Sequence, residues 1–317
     1  MKIKIWSIVI LSALLLSAGC SSSDDGIQKS DEGVPIMLTC SEISATETMT
    51  RADIAEHPSI NGEVVNIYMP SNTLSGPIEY AVAAATGAGG VSALTPASTV
   101  YLYPDYTPIY GFYPTAATMS ANNMTYSVNT DQSTAANYKL SDLLFAKNEI
   151  YKSNIATPVN LEFHHLMSKV IVNVTVDPTI VITGVFLINV DKTIEFTPST
   201  YTISHDALTG LTSSNNVGDG GIKAGTTATC AALIPPQKIR DINFIKITAQ
   251  GAGDKSAHSG AVNFFIPYQE PMTFLPGKTY SLTLAIDRWS FGQTMDISID
   301  DWDDGGSAGE PRLSPAR

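Results

Sequence analysis

Apolar and polar residues alternate along most of this chain with a period of two, not the 3.6 of a helix. The clearest runs are Val64-Val65-Asn66-Ile67-Tyr68-Met69, Val100-Tyr101-Leu102-Tyr103, Val170-Ile171-Val172-Asn173-Val174-Thr175-Val176, Phe244-Ile245-Lys246-Ile247-Thr248 and Tyr280-Ser281-Leu282-Thr283-Leu284-Ala285-Ile286. Successive side chains of a strand point to opposite faces, so this spacing predicts sheets with one face buried. Thr, Val, Ile and Tyr, which suit a pleated surface, dominate the runs. Between them stand breakers such as Tyr103-Pro104-Asp105, Tyr113-Pro114-Thr115, Asp177-Pro178, Gly218-Asp219-Gly220-Gly221, Pro235-Pro236 and Pro276-Gly277-Lys278, spaced as the turns of β-sandwiches are. No helix-period segment longer than two turns interrupts the series, and the pattern predicts an all-β protein.

The first 33 residues follow a different rule. Lys2 and Lys4 precede an apolar stretch over residues 5–16, a length that suits a signal peptide and is too short for a bilayer span. Leu16-Ser17-Ala18-Gly19-Cys20 fits a bacterial lipoprotein box, so residues 1–19 read as a signal peptide and Cys20 as the lipidated residue of the mature N-terminus. Acyl chains there would hold the protein on a membrane without any spanning helix. Residues 20–33, opening Cys20-Ser21-Ser22-Ser23-Asp24-Asp25-Gly26, have no periodicity and read as a flexible tether.

The strand series itself divides near Thr157-Pro158, after Leu143-Leu144-Phe145-Ala146 and the polar stretch 147–154. This gives an N-terminal sandwich over 34–157 and a C-terminal sandwich, with an acidic polar tail, over 158–317, each of ordinary domain size. The second series opens at Leu161-Glu162-Phe163-His164-His165. With 44% apolar and 15% charged residues the chain can bury a substantial core. Its formal charge is −12, and loss of Lys2 and Lys4 with the leader makes it two more negative. Such a surface repels nucleic acid and anionic head groups, so no nucleic-acid partner is expected. Of the three cysteines, Cys40 falls in the alternation Val34, Ile36, Leu38, Cys40 on one apolar strand face, as a small hydrophobe. Cys40 and Cys230 are expected to remain reduced thiols.

Several signatures then occur in order: the lipoprotein box, Thr50-Arg51-Ala52, Gly111-Phe112-Tyr113-Pro114, Asp142-Leu143-Leu144-Phe145-Ala146, Leu161-Glu162-Phe163-His164-His165-Leu166-Met167-Ser168-Lys169, Ala232-Leu233-Ile234-Pro235-Pro236-Gln237, Pro276-Gly277-Lys278-Thr279-Tyr280 and Ile299-Asp300-Asp301-Trp302. Taken together, the chain resembles the fimbrillin family, subunits of type V pili and their Mfa-like relatives. The resemblance implies two tandem transthyretin-like β-sandwich domains, no enzymatic activity, no cofactor, and a surface-exposed lipoprotein of the outer membrane that ends in a fimbrium and supports adhesion. It also implies an assembly route in which an arginine-specific protease cuts between Arg51 and Ala52, within an exposed loop at 47–53. The leading strand carrying Val34, Ile36, Leu38 and Cys40 then leaves, and a strand of another pilin subunit fills its place, head to tail. Loss of such a strand bares an apolar groove and a row of backbone N–H and C=O groups, which a neighbour's strand restores. Because the contact does not close on itself, it propagates a filament. A disulfide between Cys40 and Cys230 would tether the leaving strand. The candidate donor is the last strand, with Met295, Ile297 and Ile299 on one face and Asp296, Ser298 and Asp300 on the other. Little chain follows it, which leaves shaft, tip, accessory and anchor roles open.

Other chemistry finds little support. Glu162 and His164 share a strand face but His165 points to the other, so the three cannot converge on a metal. Asp301-Trp302-Asp303-Asp304-Gly305-Gly306 has Gly305 where a calcium loop needs an acidic ligand and Arg312 where it needs a closing glutamate. No Gly-x-Ser-x-Gly elbow or phosphate-cradling glycine loop occurs, so no catalytic residue is assigned. The competing function is a surface lipoprotein that binds glycans on an aromatic platform of Tyr101, Tyr103, Tyr106, Tyr110, Phe112 and Tyr113.

Overall fold

The computed structural model describes residues 32–42, 60–72, 76–84, 91–120, 123–200, 202–205, 208–212, 227–239, 242–251, 262–268, 272–286 and 296–301. Among them, the first half supplies strands β1 (Val34–Pro35), β2 (Leu38–Glu42), β3 (Val64–Tyr68), β4 (Ile78–Val82), β5 (Val91–Pro96), β6 (Tyr101–Leu102), β7 (Tyr106–Tyr113), β8 (Thr118–Ser120), β9 (Asn123–Ser127), β10 (Leu144–Tyr151) and β11 (Val159–His165). The second supplies β12 (Ser168–Val176), β13 (Ile180–Asp191), β14 (Thr193–Thr197), β15 (Thr202–His205), β16 (Leu208–Thr212), β17 (Thr227–Ile234), β18 (Lys238–Ile239), β19 (Ile242–Gly251), β20 (Val262–Tyr268), β21 (Met272–Thr273), β22 (Lys278–Ile286) and β23 (Asp296–Asp301). The chain is all-β, as its alternation predicts. The one α-helix among the described residues, α1 (Ala135–Lys139), is a short turn between β9 and β10, capped by Thr134, whose side chain accepts from the Asn137 N–H.

Seven strands of the first half close into a barrel in the order β10-β11-β2-β5-β4-β3-β7, with β7 returning to β10. Its interior is the inward set of each alternation: Leu38 and Cys40 of β2, Val65 and Ile67 of β3, Leu94 of β5, Ile109 of β7, and Leu161 and Phe163 of β11 share one cluster. Gly111 of β7 is required there, because a Cβ would lie 2.8 Å from Cζ of the buried Phe163 ring.

The second half stacks two four-stranded sheets, β17-β12-β22-β23 and β16-β13-β19-β20. Val170, Val172 and Val174 of β12, Leu282 of β22, Val185 and Leu187 of β13, and Ile245 and Ile247 of β19 are buried in a single cluster. A smaller sheet, β15-β14-β9-β8, joins a hairpin from the first half to one from the second.

Two particulars depart from a division at Thr157-Pro158. Strand β11 follows that dipeptide, yet it completes the barrel, and the second half's stacked sheets begin at β12. The reason is the apolar pair Leu161 and Phe163, which faces the same interior as Leu38 and Cys40. Residues 109–113 of β7 are also buried at every position, with no alternation. Ile109 and Tyr113 belong to the barrel core while Tyr110 and Phe112 belong to the larger cluster, so both faces of this strand are covered.

Candidate functional site

The leading strand forms the most informative site. β2 lies inside the barrel wall, parallel to β11 on one side (Leu38 opposite Val159 through Glu42 opposite Phe163) and antiparallel to β5 on the other (Leu38 opposite Leu94 through Ser41 opposite Val91). Ile36, Leu38 and Cys40 are buried, as their alternation predicts. Val34 is only half-buried and belongs to the separate bridge β1–β6, where it faces Leu102, so the leading segment is paired at two places, one of them outside the barrel. The outward side of β2 is tied as well. The Thr39 hydroxyl donates to Oδ1 of Asn160 at 3.2 Å, and Asn160 Nδ2 donates to the Ser41 hydroxyl at 2.9 Å. Asn160, an exposed polar residue beside Leu161, carried no signal beyond its place in an alternation.

Burial of Leu38 and Ile36 contributes about 1.5–3 kcal/mol each. If the strand were absent, β11 and β5 would face each other across a gap one strand wide, each with a row of backbone donors and acceptors open.

Cys20, Arg51, Ala52 and Met295 lie outside the described residues. For Ile297 and Ile299 the backbone is described: β23 pairs antiparallel with β22, with Ile297 opposite Leu282 and Ile299 opposite Tyr280, at the edge of its sheet. Cys40 lies in the barrel core and Cys230 in the larger cluster, both buried and not bridged.

Of the histidine pair, His164 is half-buried on the exposed Glu162 face, whereas His165 is buried on the opposite face. Its Nδ1 lies 2.8 Å from Oδ1 of Asp142, with both side chains almost wholly enclosed. Burial first, then Lys169 and His164, push the His165 pKa well below its ordinary value. Burial thus favours the neutral imidazole, held against the Asp142 carboxyl group. Asp142 stands 23 residues away, and spacing alone gave no hint of the pair. Among the described residues, no three His, Cys, Asp or Glu side chains gather as a metal site requires.

The aromatic group divides. Tyr110, Phe112 and Tyr113 are core residues, while Tyr101, Tyr103 and Tyr106 are exposed. Tyr101 and Tyr103 pack over the leading segment, since a Cβ on Gly33 would lie 2.8 Å from Tyr101 Cβ and 2.9 Å from Tyr103 Cε1. Tyr106 instead pairs with Tyr151, a residue outside the platform expected from sequence, with ring centroids 5.0 Å apart. Glu149 accepts from the Tyr106 phenol at 3.1 Å and from the Tyr151 phenol at 2.9 Å.

Comparison with known proteins agrees with this architecture. A candidate cell adhesion protein of Bacteroides ovatus superposes with a TM-score of 0.57 at 13% identity, over 86% of this chain and 98% of its own. Another from Bacteroides uniformis gives 0.54 at 18% identity, over 87% and 100%. At such identities the likeness is one of fold. No curated protein sequence matches the chain. The profile of the fimbrillin-like family matches residues 50–302, most of the chain and nearly all of its strand series, and on that match the chain belongs to the fimbrillin-like family.

Proposed function

We propose that this protein is a fimbrial subunit, shaft, tip or accessory, exported as an outer-membrane lipoprotein acylated at Cys20 and assembled head to tail with other pilin subunits by replacement of β2. The observation that carries the reading is the seat of β2, an apolar-faced strand near the chain start inserted between β11 and β5. The family match begins at residue 50, so β1 and β2 lie outside the matched segment and Arg51 at its start. We read the barrel and the stacked sheets as the two transthyretin-like domains of such a subunit. Cleavage between Arg51 and Ala52 would sever β2 from the rest of the chain, leaving it held by its ladders and its apolar face. A partner's strand can supply both. As donor we assign residues 295–301, because among the described residues β23 is paired only with β22 and its release costs that single ladder. The protein acts by binding and assembly, without a catalytic step.

The reading is tested by brief trypsin treatment of the full chain. One dominant product beginning at Ala52 is expected, absent in Arg51→Ala, followed by oligomers that uncut protein does not form. A peptide spanning residues 295–302 should compete with assembly, and its Ile297→Asp variant should not. Cleavage spread over other sites, or assembly undiminished after removal of everything beyond Arg288, would refute respectively the maturation step and the donor. Cys20→Ala should leave an unprocessed or unanchored product in cells.

A further inference from the structure

The outward face of β3, β7 and β10 carries a surface that strand exchange does not use. Register places Tyr68 opposite Tyr110 and Tyr110 opposite Lys147, then Pro108 opposite Glu149, then Tyr106 opposite Tyr151. All of these positions share one side of the barrel wall. Where the second half packs against it, Tyr110 is buried, and Tyr68, stacked 6.5 Å from it, is half-buried. Beyond Pro108 the face is open: Tyr106 and Tyr151 are 40% and 42% exposed. Lys147 and Glu149 are exposed beside them.

We propose that this face, built on Tyr106, Tyr151, Glu149 and Lys147, binds neutral hexose oligosaccharides. A pyranose ring has a flat face of C–H groups and a rim of hydroxyls, and needs apolar planes next to hydrogen-bonding groups. Tyrosine supplies such planes at low conformational cost. Both phenols are already fixed by Glu149, so the rings are held in place before any ligand arrives, which lowers the entropy lost on binding. A carboxylate has about four acceptor positions, and two phenols leave it capacity for sugar hydroxyls. Lys147, two residues along the same strand face, adds donors. Charge narrows the class: Glu149 at the centre of the face and a chain of formal charge −12 disfavour acidic sugars. The ammonium of Lys147, about 7 Å along the strand from Glu149, disfavours a cationic side chain seated between the rings. Along β10, from the exposed Lys147 to the exposed Tyr151, the open face extends about 13 Å, longer than a single sugar ring.

The full chain is titrated with neutral linear hexaoses of glucose and mannose, in α and β linkages, by calorimetry and saturation-transfer NMR, with hexalysine in parallel. At least one hexaose should bind saturably, and Tyr106→Ala and Tyr151→Ala should each weaken it about ten-fold or more, near 1.4 kcal/mol. Both side chains lie at the surface, so the variants should melt with the parent. Tyr151→Phe, which keeps the ring plane and loses its bond to Glu149, should fall between parent and Tyr151→Ala. Leu275→Ala, an exposed apolar position outside this face, should bind as the parent does. The proposal is overturned if no hexaose binds up to millimolar concentration, if binding ignores both tyrosine variants, or if hexalysine binds there in place of sugar. These outcomes are independent of cleavage at Arg51 and of assembly.

Discussion

The barrel of the first half and the stacked sheets of the second are built from the same alternating strands, yet they respond differently to the loss of one. In the second half β23 is the outermost strand among the described residues, with β22 as its one neighbour, and removing it moves that edge from β23 to β22. The barrel is a ring of seven strands without an edge, and removing β2 creates two edges that face each other. A gap of that kind has a defined width, an apolar floor and two templates of fixed direction. It therefore selects for a single strand of matching pattern, whereas an open edge accepts any strand. Strand length sharpens the contrast. β12, β13, β19 and β22 run 9 to 12 residues through the larger core, while β2 has 5.

The largest effect that would test this contrast is a buried charge on each side of it. Val172→Asp, placed between β17 and β22 in the larger core, should cost more than about 4 kcal/mol, a large part of a domain's stability, and abolish soluble expression. Leu38→Asp should instead dislodge β2, with hydrogen exchange accelerated in β5 and β11 and protection kept in β12 and β22. Loss of protection in both halves would mean that the barrel and the stacked sheets unfold as one.

A smaller difference is expected between two glycines. An alanine methyl at Gly111 meets Phe163, a ring enclosed in the barrel, and should cost about 1–3 kcal/mol in urea melts. At Gly184 it meets the tip of the half-buried Phe186 ring at 2.6 Å and the Thr248 hydroxyl at 2.8 Å, neither in a closed core, and the cost should be smaller, about 1 kcal/mol. Equal costs would show that Phe186 is held as rigidly as Phe163.

The Asp142–His165 pair makes the fold sensitive to acid. His165 has a folded pKa below its ordinary value of 6.5, so the unfolded chain binds the extra proton first. Its contribution is intact above pH 6.5 and declines below it, by at most about 1.4 kcal/mol per pH unit, until the folded pKa is reached. Thermal melts of His165→Asn between pH 7.5 and 5.0 should show a flatter profile than the parent; an identical profile would mean that another group carries the acid response. The smallest effect belongs to Lys139, whose ammonium lies 2.6 Å from Glu63 at a partly exposed site. Lys139→Ala should cost less than about 1 kcal/mol, and less again in high salt.

How far these features are legible in the sequence depends on the range of the interaction. Period-two runs such as 170–176 and 280–286 announce their strands because alternation is local, and the same rule identifies Ile36, Leu38 and Cys40 as a buried face. A strand covered on both sides loses alternation, so residues 109–113 read as a cluster of aromatics that could equally line a platform. Tyr110, Phe112 and Tyr113 became core, while Tyr106, outside that run, found a partner in Tyr151 through a pairing between β7 and β10. The assignment of β11 to the barrel, the parallel register of β2 and the Asp142–His165 contact are all set by chain segments far apart in sequence. Alternation carries no information about which strand is a neighbour.

The ladder around β2 has a mechanical consequence. β2 is paired on both sides from Leu38 to Ser41, with the Asn160 side chain bridging its outer face. Tension applied along that strand's axis loads all the bonds at once, so none can fail alone, whereas a sideways pull would open them one after another. The lifetime of such a junction under force is governed by its rate of opening and not by its equilibrium stability. A chain of subunits joined through this seat would bear steady tension along its length and give way when levered across it.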